Sequence, residues 1–387
     1  MTILKLYTLI VFVLGVSACA SQSPIANGDS PQDSSAYQES FQSVCEEMSR
    51  EFGNPKGSYV REKFNVDHYL DQALLGLKRS KSPYYQSYLK KVMATKQQYA
   101  VMDRAYSSMS RPWQIQDMTL SGAKASCLLF SEFSENGVAI VELELVSHRG
   151  EIELVNWYDH VTESNASEQL RQLSIDVKQL AESGQQNSKA MTDLMAFMAS
   201  LIQSTPYLVG NAYNALDPAF KAQPSYALSY VAAAAKVGGQ VYQTALENLD
   251  TRFAQDGKYG LLMLDYRFER GEYDKALAAV DRAEQSVGRN EGLDAIRMML
   301  YEQQGKTREY YRAAANGLDI NLGAEVIYWG LLDNFIREGA YADAVLVIDA
   351  IAHFLGYEFT QESMASVPEY QAFAQSQDFA MWVSEQE

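Results

Sequence analysis

Two of the four histidines in the chain directly follow an acid, as Asp67-His68 and Asp159-His160; the others are His148 and His353. An acid beside an imidazole is the working core of general acid–base chemistry. Neighbours on a strand face opposite ways, however, so sequence adjacency alone does not set such a pair up to cooperate. We read the histidines as solvated or structural. The other chemistries leave no mark either. There is no phosphate-cradling G-x-x-x-x-G-K, no dinucleotide glycine fingerprint, no G-x-S-x-G elbow, no H-E-x-x-H and no calcium loop. The expectation is a protein that is not an enzyme, with no cofactor and no metal site.

The cysteines carry more. Leu6–Val16 is an apolar run after Lys5, too short for the roughly 20 residues of a spanning helix, and it ends in "VSAC" at Cys19. This resembles the signal peptide and lipobox of bacterial lipoproteins. The resemblance implies that residues 1–18 are removed and that Cys19 is acylated, with palmitate among its chains, anchoring the chain to a membrane. Ala20, where an aspartate would favour inner-membrane retention in Gram-negative lipoproteins, points to the outer membrane facing the periplasm. In that oxidising compartment Cys45 and Cys127 form an even pair, open to a disulfide or to two buried thiols.

Residues 19–37, rich in Ser, Pro, Gly and Asp, read as a flexible tether. The formal charge of −17 argues against nucleic-acid partners. Residues 38–111 are the exception, with twelve Lys or Arg against eight acids, and Lys78, Arg79, Lys81, Lys90 and Lys91 lie close together. They read as a solvated helix face, or as a contact with anionic lipid near the anchor.

The elements follow from periodicity. Phe41, Val44, Cys45 and Met48 share a helical face, and "SPYYQSYLKKVMATKQQYAVMDRAYSSM" continues the helical period. "WQIQDMTL", "KASCLLFSEF", "GVAIVELELVS" and "GEIELVNWYDH" then alternate as four strands, with "SHRGE" a hairpin turn. The expected fold is α+β over residues 38–160, helices packed on a four-stranded antiparallel sheet. That order of elements resembles the nuclear transport factor 2-like cone fold, in which Trp157, Tyr158 and His160 would line a pocket mouth. Residues 161–222 read as a helical hairpin, with Leu170, Leu173, Val177 and Leu180 answered by Met191, Leu194, Met198 and Leu201.

The strongest internal signal is a repeat. Gly271, Gly305 and Gly339 are 34 residues apart, and Leu264, Met298 and Leu332 keep the same offset, as do Tyr273 with Tyr341 and Ala276 with Ala344. This resembles the tetratricopeptide repeat (TPR), a helix-turn-helix unit that stacks into an all-α array, here over 223–387 with a C-terminal cap. Tyr310 stands where the family has a small residue. A weaker unit turns at Gly238 or Gly239, before Tyr242 and Ala245. The first helices of such units line a groove that holds peptides or partner helices. Lys258, Asp265, Glu269, Met299, Glu302, Trp329, Asp333 and Arg337 are the residues this implies, with Trp329 the anchor or, equally, core. The functional expectation is a lipid-anchored scaffold for an envelope protein or peptide. The alternative is a small-ligand or enzymatic role for the cone-like domain.

Overall fold

The strand pattern dictates the first core. Val141, Leu143 and Leu145 are fully buried while Glu142 and Glu144 between them are half-exposed, the alternation of a pleated strand with one face inward. A computed structural model describes residues 34–52, 54, 58–95, 113–134, 137–202 and 206–386. Cys19 and most of the tether lie outside the described residues, as does the expected continuation of the long helix through Tyr99 and Met102. The chain falls into two compact units that divide between Glu272 and Tyr273. Among the described residues no helix is long and apolar enough to cross a membrane.

The first unit opens with α1 (Ser34–Glu51), α2 (Tyr59–Lys63), α3 (Val66–Ala73) and α4 (Pro83–Thr95). Helix α1 starts inside the expected tether, since nothing between Pro31 and Gly53 breaks a helix. Strands β1 (Gln114–Ser121), β2 (Lys124–Ser134), β3 (Gly137–His148) and β4 (Glu151–Asp159) follow as an antiparallel meander. A fifth strand the sequence did not announce, β5 (Ser164–Asn165), adds to its edge. The β3–β4 turn has Arg149 at φ 54° and Gly150 at φ 86°, the two left-handed residues of a tight hairpin matched to strand twist.

The inner face carries a hydrophobic core. Phe41, Met48 and Phe52 of the first helix and its exit, with Phe64, Tyr69, Trp113 and Trp157, pack against Leu129, Val141, Leu143, Leu145 and Leu154. Cys45 of α1 is joined to Cys127 of β2 in a disulfide, with Cα atoms 6.1 Å apart, within this core.

Next come α5 (Ala166–Glu182), α6 (Lys189–Ile202), α7 (Pro206–Ala215), α8 (Pro218–Lys221), α9 (Pro224–Val237), α10 (Gly239–Phe253) and α11 (Leu264–Glu269). The expected α5–α6 hairpin is not the main packing: α5 lies chiefly on α3, α4 and β4, and α6 on α7. A polar contact also ties α5 to the helices that follow. Asp176 of α5, 3% exposed, accepts from Tyr226 Oη of α9 at 2.6 Å and from Gln223 Nε2 at 3.2 Å. Burial raises its pKa above the ordinary carboxylate value even with those donors.

The second unit is a run of antiparallel helices: α12 (Tyr273–Val287), α13 (Glu291–Gln303), α14 (Thr307–Ile320), α15 (Glu325–Glu338) and α16 (Tyr341–Leu355). The short α17 (Gln361–Ala365), a 3-10 turn at Pro368–Tyr370, α18 (Gln371–Ala374) and α19 (Gln377–Gln386) close its core around Phe373, Phe379 and Trp382. Tyr310, at the position expected to be small, is buried here.

Candidate functional site

The three spaced glycines are three copies of one turn. Gly271, Gly305 and Gly339 have φ of 69°, 66° and 73°, a left-handed backbone that glycine adopts without a Cβ penalty. Each glycine N–H donates to the carbonyl three residues back: Phe268 at 3.0 Å, Glu302 at 3.0 Å and Ile336 at 3.1 Å. Each following N–H reaches the carbonyl five residues back: Arg267 at 2.8 Å, Tyr301 at 2.9 Å and Phe335 at 2.9 Å. These are the paired bonds that satisfy the last carbonyls of a helix and stop it.

Between such turns the residues expected to form a groove fare differently. In the first unit α11 is short, so Lys258 is exposed in an irregular segment rather than on a helix. Gly257 at φ 75° and Tyr259 at φ 59° break the helix there, and Tyr259 N–H donates to Glu163 Oε1 at 2.7 Å. Asp265 is half-buried on α11, and burial with the nearby Glu269 carboxylate pushes its pKa up to about 8. Glu269 is exposed and accepts a hydrogen bond from Gln243 Nε2.

In the second unit the named residues come together on one side. Arg337 Nη2 lies 2.6 Å from Glu302 Oε1, joining α15 to α13, and 2.6 Å from Asn334 Oδ1. Met299 and Glu302 are half-buried on α13. Trp329 is half-buried on α15, edge-on to Tyr357 at 5.6 Å and to Phe359 at 6.0 Å. Its Nε1 donates to Glu325 Oε1 at 3.1 Å, and Tyr357 Oη donates to the same oxygen at 2.7 Å. Asp333 accepts from Tyr370 Oη, and burial raises its pKa. Trp329 is thus neither free anchor nor full core. It forms one wall of an aromatic corner.

No family model matches this chain, and neither does any curated protein or solved structure.

Sequence reasoning missed Glu325, Tyr357, Phe359 and Tyr370. Their only signal was the aromatic pair just after Gly356, a residue that ends α16 at φ 73°. The sheet domain offers less. Trp157 points into the hydrophobic core, stacked on Tyr69 at 5.8 Å, while Tyr158 and His160 pair edge-on at 4.8 Å. His160 Nε2 is 3.3 Å from Glu142 Oε2, and Ser126 Oγ donates to the other oxygen of that carboxylate. That hydrogen-bonding lowers the Glu142 pKa. The hydroxyl is held by the carboxylate and not by the imidazole, so the nucleophile–base contact of a hydrolytic triad is not formed. Among the described residues no three His, Cys, Asp or Glu side chains gather as metal ligands do.

The basic stretch contributes a surface cavity at the start of α4, lined by Arg79, Lys81, Ser82, Gln86 and Glu182. Ser80 Oγ donates to Glu182 Oε1 at 2.7 Å, which puts an acid among the cations. Lys78 pairs with Asp71.

Proposed function

We propose that this protein is a lipid-anchored envelope scaffold without an activity of its own, holding a protein or peptide partner on the first helices of TPR-like hairpins. The single observation behind the reading is the triple recurrence of one left-handed glycine turn at 34-residue spacing, with the same two hydrogen bonds each time. Within the second unit this turn joins α13 to α14 and α15 to α16, and the first-helix faces of such repeated hairpins are binding surfaces. The anchor rests on "VSAC" at Cys19, with outer-membrane placement resting on Ala20.

The test is crosslinking in intact envelopes followed by recovery of the protein. Val326 is 37% exposed on the same helical face as Trp329, so Val326→Asp should cut partner recovery at least tenfold without moving the melting temperature. The combined Trp329→Ala and Arg337→Ala change should do the same, with some loss of stability because Trp329 packs on Tyr357 and Phe359. Undiminished recovery from folded variants would place partner binding on another surface. In parallel, Cys19→Ser should move the protein out of the membrane fraction or leave its signal uncleaved.

A further inference from the structure

From Glu325 to Glu387 the chain carries eleven Asp or Glu and one Lys or Arg, which is Arg337. That cation is already engaged by Glu302 and Asn334. The same segment supplies a strip in which π faces alternate with carboxylates. Val326, Trp329 and Asp333 share one face of α15 at helical spacing. Tyr357, 42% exposed, borders Trp329, and Tyr370 borders Asp333. Glu325 sits between the Trp329 and Tyr357 donors, and Glu358 and Glu369 are exposed beside the two tyrosines in the chain.

We propose that this strip binds a segment of a partner protein in which lysine or arginine stands next to an apolar side chain. The inference rests on the scaffold reading above and names the chemistry of its partner. Val326 and the exposed part of Trp329 give the apolar side chain a surface to cover. Tyrosine and tryptophan faces attract a cation through the ring quadrupole, and the flanking carboxylates add charge-assisted hydrogen bonds. The competing occupants are disfavoured by sign. A second copy docking through the same face would bring an equally acidic strip against this one, and an anionic lipid surface or a nucleic acid would be repelled.

The experiment titrates the full-length protein with three synthetic peptides: a helical leucine–lysine peptide, its leucine–glutamate counterpart and oligolysine. The leucine–lysine peptide should bind tightest and lose affinity as salt is raised. Tyr357→Ala and Asp333→Asn should each weaken it about threefold, the scale of an exposed cation–π or charged contact, and about ninefold together. Equal binding of the leucine–glutamate peptide would overturn the cationic preference. Oligolysine binding as tightly as leucine–lysine, or a double variant that binds undiminished, would overturn the strip as the site and leave only bulk charge. A photo-crosslinker at Val326 in intact envelopes separates the two readings. A partner adduct there alongside failed peptide selectivity would overturn this inference and keep the scaffold. Absence of any adduct along the α13 and α15 faces would overturn the scaffold itself.

Discussion

Tyr310 of α14 donates its hydroxyl to the carbonyl of Gly330 on α15 at 2.8 Å. The ring is 4% exposed, so the large residue at a position expected to be small fills core space and ties the two helices together. Tyr310→Phe should cost about 1 kcal/mol, the net value of a buried hydrogen bond. Tyr310→Ala, although it restores the residue type of the resembled repeat, should cost about 3 kcal/mol or more through the cavity it leaves. Denaturant unfolding of the two variants measures both. A stabilised alanine variant would refute the packing role of the ring.

Gly317 of α14 lies against the side chain of Ile327. A Cβ there would overlap Ile327 Cδ1 and stand 3.3 Å from Asp294 Cβ, with Ile327 itself 1% exposed. Alanine gains roughly 1 kcal/mol of helix propensity over glycine, but overpacking costs about 1–3 kcal/mol. We expect Gly317→Ala to be net destabilising, and Ile327→Val in the same background to recover part of the loss. Additive penalties in the double-mutant cycle would show that the two sites do not press on each other.

The Cys45–Cys127 bridge closes a loop of sequence separation 82. Replacing both cysteines with serine should lower stability by about 4 kcal/mol in the chain-entropy treatment. Unfolded, non-reduced protein should show no free thiol beyond Cys19. Two titratable thiols, with no loss of stability on adding reductant, would contradict the bond.

Asp265 provides a pH dependence with a defined sign. Its pKa rises from 3.8 unfolded to about 8 folded, through burial and the Glu269 charge. The folded state then binds the proton more tightly, so this group's contribution is fully present below about pH 4 and is lost as pH rises toward 8. Asp265→Asn should raise the melting temperature more at pH 8 than at pH 5. An equal shift at both values would mean that the carboxyl titrates alike in both states.

The parts that sequence made legible are those where a local rule has one solution. Alternation at Val141, Leu143 and Leu145 placed β3 and its neighbours to within a residue or two, since a slip of one residue would turn every side chain over. The spacing of Gly271, Gly305 and Gly339 located the turns because only glycine reaches that backbone region freely. Partnership was harder to read. Leu173, Val177 and Leu180 look the same whether their helix faces α6 or the sheet domain, and the Asp176–Tyr226 hydrogen bond spans fifty residues. Lys258 read as a groove residue on a first helix, but Gly257 and left-handed Tyr259 hold the chain around it in turns. At the candidate site, half of the strip comes from residues after Gly356, where no repeat or period points back toward Trp329 and Asp333.

The bridge between α1 and β2 also decides how the molecule answers a pull on its N-terminal end. Tension entering at Ser34 can unravel α1 only as far as Cys45, where it crosses the covalent link to Cys127 and enters the sheet. Residues 46–126 lie outside that load path. With a separation of 82 residues, and about 3.4 Å of extension for each, the link withholds on the order of 280 Å of slack. Under strain the covalent path enters the first domain at β2, which is hydrogen-bonded on both edges, and bypasses α2, α3 and α4.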